Sequence, residues 1–293
     1  KGEWKMISQK RHILIPFHIA LIGIRKWVTN FRMYVVFVML AVFEWTLIMN
    51  IRAYASGIGM SISCWYFPFL FVANINCMFY YFALILMYCN APYVDEHQMS
   101  LMLRSGRKKW FLGQIIYTVM ASVLFFIWMA ILSVIEYIPY VGFSTEWESV
   151  LAKISQNPMV YGHGLYLNVP YAILQNYTPI QAFLICFCIN VGVGTLLGLL
   201  IFYVNLWKSR GYGAAVALAW VALSDIVANE IVQHMWMIIL APTAWTNLTL
   251  YCEENARIAF GTVVALLIFG ILLLSILIMV RANKYSVEAL EEI

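Results

Sequence analysis

Apolar residues fill six long blocks of this chain, at 33–56, 65–89, 111–136, 180–206, 213–240 and 257–280, and charged residues gather in the gaps between them. About 20 consecutive apolar residues suffice for an α-helix to cross the hydrocarbon core of a bilayer. The pattern predicts an all-α membrane protein with six transmembrane helices, residues 33–280 forming the transmembrane domain and 281–293 a tail. Residues 12–31 are of another kind, because Ile13, Leu14, Ile15, Phe17, Ile19, Leu21, Ile22 and Trp27 are mixed with His12, His18, Arg25 and Lys26. Such a segment suits the plane of the membrane interface, with basic residues meeting headgroups and apolar ones dipping beneath them. Residues 1–32 are therefore expected to hold a cytoplasmic N-terminus and an interfacial helix, the alternative being a segment packed on other protein.

Composition makes lipid the solvent for most of this surface: 63% of residues are hydrophobic and 11% charged, against roughly 25% charged in soluble domains. The net charge of +4 matters less than its placement. With the N-terminus inside, only Arg52, Lys153 and Arg257 of the 18 basic residues fall outside, in loops that also carry Glu136, Glu146, Glu148, Glu253 and Glu254. The positive-inside rule selects this orientation, with both termini cytoplasmic, and an odd number of spans would destroy the asymmetry. No cleavable signal peptide is expected, since the first apolar block lacks a short core followed by a small-residue cleavage site.

Between the second and third blocks, residues 90–110 spell a short capped helix on the cytoplasmic side, spanning about 93–105. Pro92 suits the first turn, Asp95 and Glu96 face the positive helix start, Arg104 the negative end, and Gly106 offers a left-handed stop. Tyr93, Met99, Met102 and Leu103 remain as apolar contact residues that a solvated connector would not need. The external loop 137–179 is the longest stretch without a span, and loops of this length usually hold structure or function. A short amphipathic helix over 143–154, begun by Ser144 or Thr145, would cap the external mouth of the bundle. Asn176-Tyr177-Thr178 and Asn247-Leu248-Thr249 match the glycosylation sequon, and are read as chance matches.

Ionisable groups at membrane depth are costly, which singles out Glu44, Asp225 and Glu230. Glu230 and His234 are spaced to meet on one helical face. These four residues either line an intramembrane polar path or make buried helix contacts. Gly192, Gly194, Thr195 and Gly198 form a small-residue face of the kind that lets helices pack closely. The six cysteines mostly fall within spans; Cys186-Phe187-Cys188 lacks a second ligand pair, so all are read as apolar filler and no metal is expected. No Gly-rich loop ending in Gly-Lys-Ser/Thr is present, no His-Glu-x-x-His, and no Gly-x-Ser-x-Gly. The chain is not expected to hydrolyse ATP by that route or to be an enzyme.

The run Pro92-Tyr93-Val94-Asp95, followed by Leu103-Arg104-Ser105-Gly106-Arg107-Lys108-Lys109-Trp110-Phe111-Leu112-Gly113-Gln114-Ile115, resembles the coupling-helix region of bacterial ABC transporter permeases of the type-2 export class, small six-span permeases in particular. Members of that class also carry an interfacial helix before the first span, as 12–31 provides, and an external Pro-x-x-Trp turn before the last, as in Pro242-Thr243-Ala244-Trp245. The resemblance implies a permease subunit in the bacterial cell membrane that pairs with a second copy or a sister permease, amid membrane lipids and with no nucleic-acid partner. Separate ABC ATPase subunits, which bind ATP and Mg, would dock on the coupling helix through Tyr93, Asp95, Glu96, Met99, Met102 and Arg104; this chain would hold no cofactor of its own. One departure is that the long external loop follows the third span, whereas many members place their main external elements between the fifth and sixth. The cargo is left open. The alternatives are a transporter driven by an ion gradient through Glu44, Asp225 and Glu230, and a membrane-embedded enzyme or immunity protein.

Overall fold

The chain builds, in order, α1 (Gly2–Arg25), α2 (Phe31–Ile58), β1 (Ile62–Ser63), α3 (Asn74–Tyr88), α4 (Glu96–Ser105), α5 (Arg107–Ile135), β2 (Val141–Gly142), α6 (Ser149–Gln156), α7 (Tyr171–Asn176), α8 (Pro179–Asn205), α9 (Tyr212–Ala228) and α10 (Phe260–Ala282). This is a computed structural model, and it describes residues 2–93, 96–147, 149–156, 167–208, 211–228, 235–252 and 258–282. The boundaries have local causes. Asn30 caps α2, its side chain accepting from the Arg32 amide at 3.1 Å. Thr178 and Gln181 form a reciprocal capping box at the start of α8, with Pro179 in the first turn where its missing N–H costs nothing. Gly106 joins α4 to α5 at φ 86°, ψ 144°, a conformation open essentially to glycine alone.

Four of the helices, α2, α5, α8 and α10, are long and apolar enough to cross a membrane. Their outward faces carry exposed apolar side chains such as Val38 and Val42 on α2 and Leu272 and Ile276 on α10, surfaces that lipid satisfies and water does not. The expected spans at 65–89 and 213–240 take a different form. A 3-10 turn, Phe67–Phe71, precedes α3, and a second, Met235–Leu240, follows α9, with 229–234 outside the described residues. Pro68 cannot serve in a helix interior, and Ala73 is extended, so the second apolar block yields a 15-residue helix rather than a full crossing. Six uninterrupted spanning helices are thus not what the described residues contain.

The bundle closes around α8, whose small-residue face admits its neighbours. A Cβ at Gly194 would lie 2.9 Å from Leu84 of α3 and 3.0 Å from Phe126 of α5; one at Gly198 would lie 2.5 Å from Thr118 and 3.0 Å from Tyr88. Several polar groups in this core are paired. Tyr88 Oη donates to the Thr118 carbonyl at 2.7 Å, and Tyr81 Oη donates to Asn190 Oδ1 at 2.8 Å. Asn205, fully buried, donates to the Ala91 carbonyl at 2.6 Å and accepts from the Gly213 amide at 2.8 Å, tying the ends of α3, α8 and α9 together.

At the opposite end, β1 and β2 pair in parallel, Ile62 opposite Val141 and Ser63 opposite Gly142. The α6 helix lies over this pair with Val150, Leu151 and Ile154 buried. Trp147 donates its indole to the Tyr177 carbonyl at 2.8 Å and meets Phe69 edge-on at 5.3 Å. The loop therefore holds structure, as expected, but its helix starts at Ser149 rather than near 143. The Ser144 hydroxyl is used in a local turn, accepting from the Glu146 amide at 3.0 Å, and so caps no helix.

Candidate functional site

The α4 helix is short and amphipathic, and its two faces have different fates. On the inner face, Gln98 Oε1 accepts from the Trp110 indole at 2.9 Å, both residues being buried. Met102 is 2% exposed, in a cluster with Ile19 of α1, Trp110 and Phe111 of α5 and Phe202 of α8. Tyr93 is also directed inward: its hydroxyl donates to the Met87 carbonyl, its ring meets Tyr117 edge-on at 5.0 Å, and burial pushes its phenol up. On the outer face, Ser100, Leu103 and Arg104 are exposed, Leu103 at 67%, while Met99 is half-buried. Among the residues expected to contact a docked partner, Met99 and Arg104 face outward enough to do so. Met102 and Tyr93 are committed to the chain's own packing, and Leu103 takes the outward position. Asp95 and the Glu96 side chain lie outside the described residues, although Glu96 opens the helix.

Beside α4 runs α1. Gly113 of α5 lies against Ile19 and Pro16, Gly23 lies against Tyr117, and the Trp27 indole donates to Tyr117 Oη at 2.8 Å, so α1 and the first turns of α5 run in the same direction in close contact. Between α1 and α4 opens a groove of about 440 Å³, lined on one side by Leu14, Ile15, His18 and Ile22 and on the other by Leu101, Arg104 and Ser105. A second hollow, bordered by Arg107, Lys108 and Lys109, adjoins it at the α4–α5 corner. The corner is thus a firmly anchored helix with an apolar, basic-edged surface.

The intramembrane acids are separated. Glu44 of α2 is fully buried, and neither carboxyl oxygen has a hydrogen-bond partner among the described residues. Asp225 of α9 is half-buried, in electrostatic reach of Cys77 on α3. Both approach α3, from different neighbours. Glu230 and His234 lie outside the described residues. Glu44 instead has a companion that spacing along the chain did not reveal: Glu136, at the C-terminal end of α5, is in electrostatic reach of it. Tyr66, Tyr80 and Tyr137 complete this neighbourhood. Only their placement in an apolar-aromatic cluster identifies these residues; no sequence motif does.

Among the described residues no group of three or more His, Cys, Asp or Glu side chains gathers as a metal site. The six cysteines form no disulfide, and Cys186 and Cys188 diverge, one buried and one exposed. Comparisons with protein-family models, curated proteins and solved structures return no match, which leaves the geometry of the chain itself to carry the functional reading.

Proposed function

We propose that this chain is the membrane-embedded permease subunit of an ATP-driven exporter, with six passes through a bacterial cell membrane, both termini in the cytoplasm, and α4 as the lever on which a separate ATPase subunit docks. In this reading α3 and α9, with their adjoining 3-10 turns, complete the second and fifth passes. A second permease copy or a sister subunit supplies the other half of the path. ATP and Mg belong to the ATPase, because this chain has no phosphate-binding loop.

The observation that carries the reading is the split character of α4. Its inner face is fixed to α5 through Gln98–Trp110 and Met102, while its outer face presents Leu103 and Arg104 beside the α1 groove. A helix of this build transmits displacement: a push on the outer face moves α5, because the two helices share a packed core across the Gly106 turn. Docking rests on burying Leu103 and Met99, about 1–3 kcal/mol each when they fill pockets, and Arg104 orients the partner.

The test is purification of the wild-type chain from its native membrane under mild detergent. A stoichiometric soluble subunit with vanadate-sensitive ATP hydrolysis is expected. A preparation that binds or moves substrate with no ATPase retained would remove the reading.

A further inference from the structure

The groove between α1 and α4 and the hollow at the α4–α5 corner share Ser105 in their walls, so they form one continuous depression with two chemistries. The groove, about 440 Å³, is walled by Leu14, Ile15 and Ile22 of α1 and by Leu101 of α4. That volume lies in the range of ligand pockets. The hollow is bordered by Arg107, Lys108 and Lys109, the first two exposed and the third half-buried. His18 and Arg104, both exposed, edge the groove, and no acidic side chain among the described residues lines either part. The first turn of α5 holds no acid, and its own positive end adds to the charge of the three cations.

This depression lies level with the ends of the spanning helices. Ile19 and Met102, from its two walls, pack in one cluster with Leu199 and Phe202 near the end of α8 and Ile278 near the end of α10. At the same level the Arg281 guanidinium lies 4.0 Å over the exposed Trp207 ring. Tryptophan and snorkelling cations of this kind mark the boundary where hydrocarbon gives way to headgroups. Outside the groove, Leu14 and Phe17 of α1 remain 60% and 45% exposed, so an apolar surface leads into it from the membrane side. An apolar slot that ends in a basic hollow at this depth is complementary to a molecule with a hydrocarbon chain and an anionic head.

We propose that this depression is a binding site for one anionic phospholipid of the adjoining leaflet, an acyl chain lying between α1 and α4 and the phosphate resting against Arg107, Lys108 and Lys109. The lipid would brace α1 against α4 where protein packing is open. Leu103 and Met99, on which ATPase docking rests, stay uncovered, so the site does not depend on that reading.

Native mass spectrometry of the purified full chain, titrated with phosphatidylglycerol or with phosphatidylcholine of the same acyl chains, tests it. The wild type is expected to retain one phosphatidylglycerol at least about tenfold more tightly than phosphatidylcholine. Arg107→Gln, Lys108→Gln and Lys109→Gln combined, which the positive helix start tolerates, should remove that preference. Leu101→Trp fills the groove and should weaken retention of both lipids while the melting midpoint stays near wild type; Ile22→Trp should do the same from the α1 wall. Lys153→Gln, at the other end of the bundle, should change nothing. Equal retention of the two lipids by the wild type, an undiminished preference in the triple variant, or an equal loss in Lys153→Gln overturns the proposal. So does displacement of the lipid by millimolar inorganic phosphate, which would make this a free-anion site, or by a peptide of residues 283–293, which would make the occupant the chain's own tail.

Discussion

The two ends of the helix bundle treat buried polarity in opposite ways. Near the α4–α5 corner, Asn205 joins the Ala91 carbonyl to the Gly213 amide, and Trp110 donates to Gln98. Toward the α6 end, Glu44, Tyr80 and Glu136 keep polar atoms buried with no hydrogen-bond partner among the described residues. Pairing of the first kind fixes one arrangement, because any displacement leaves a buried group unsatisfied. Unmatched groups of the second kind are tolerated only when the surroundings over-determine them, and they are where chemistry is sought first. One end of the molecule is built as a joint, and the other keeps buried polar atoms without hydrogen-bond partners among the described residues.

The largest effect expected from breaking the joint is that of Met102→Asp, which places an unpaired carboxylate in a nearly sealed apolar cluster and costs about 3–5 kcal/mol. The variant should be poorly recovered from membranes and melt far below wild type in detergent; a midpoint near wild type would show that α4 does not pack on α5. Asn205→Ala comes next, at about 2–3 kcal/mol, because it strands a carbonyl and an amide at once. Thermal melting of the purified variant measures it, and a loss near zero would mean that the three helix ends are held by apolar packing alone.

The buried acids give a smaller signal. Glu44→Gln puts a neutral side chain of the same size at the buried position, where neither carboxyl oxygen has a hydrogen-bond partner among the described residues, and should stay within about 1 kcal/mol of wild type. Thermal melting of the purified variant measures it, and a loss of several kcal/mol would mean that a partner holds the carboxylate there.

Much of the joint was legible in the sequence, and the reasons are local. Gly106, read as a left-handed stop, does separate α4 from α5 through its backbone conformation, which a short stretch of chain encodes; the caps at Asn30 and at Thr178 with Gln181 are as local, but the apolar blocks did not mark them. The glycine face of α8 was likewise readable from spacing, and its close contacts with Leu84, Phe126 and Tyr88 are those such a face permits. What was not legible depends on partners distant in the chain. Met102 and Leu103 are adjacent and both apolar, so only the position of Trp110, Phe111 and Ile19 decides which one faces inward. Glu44 stood out as a buried acid, yet Glu136 read as an ordinary loop residue because its proximity to Glu44 is a property of how α2 and α5 cross. The second apolar block read as a full span because hydropathy alone does not register Pro68 and the extended Ala73.

The smallest effect on stability is expected at Leu103, whose side chain is 67% exposed: Leu103→Asp should stay within about 0.5 kcal/mol of wild type. That makes the outer face of α4 the cleanest place to test whether the joint carries force from a partner. A photo-crosslinking amino acid at position 103, placed in the otherwise unchanged chain and irradiated in native membranes, addresses this directly, with positions 102 and 151 as buried controls at the two ends. The account predicts that 103 forms a single adduct with a soluble subunit whose peptides include a Gly-Lys-Ser/Thr phosphate loop, and that 102 and 151 form none. No ATPase adduct at 103, or an equal one at 151, would contradict the assignment of α4 as the docking lever.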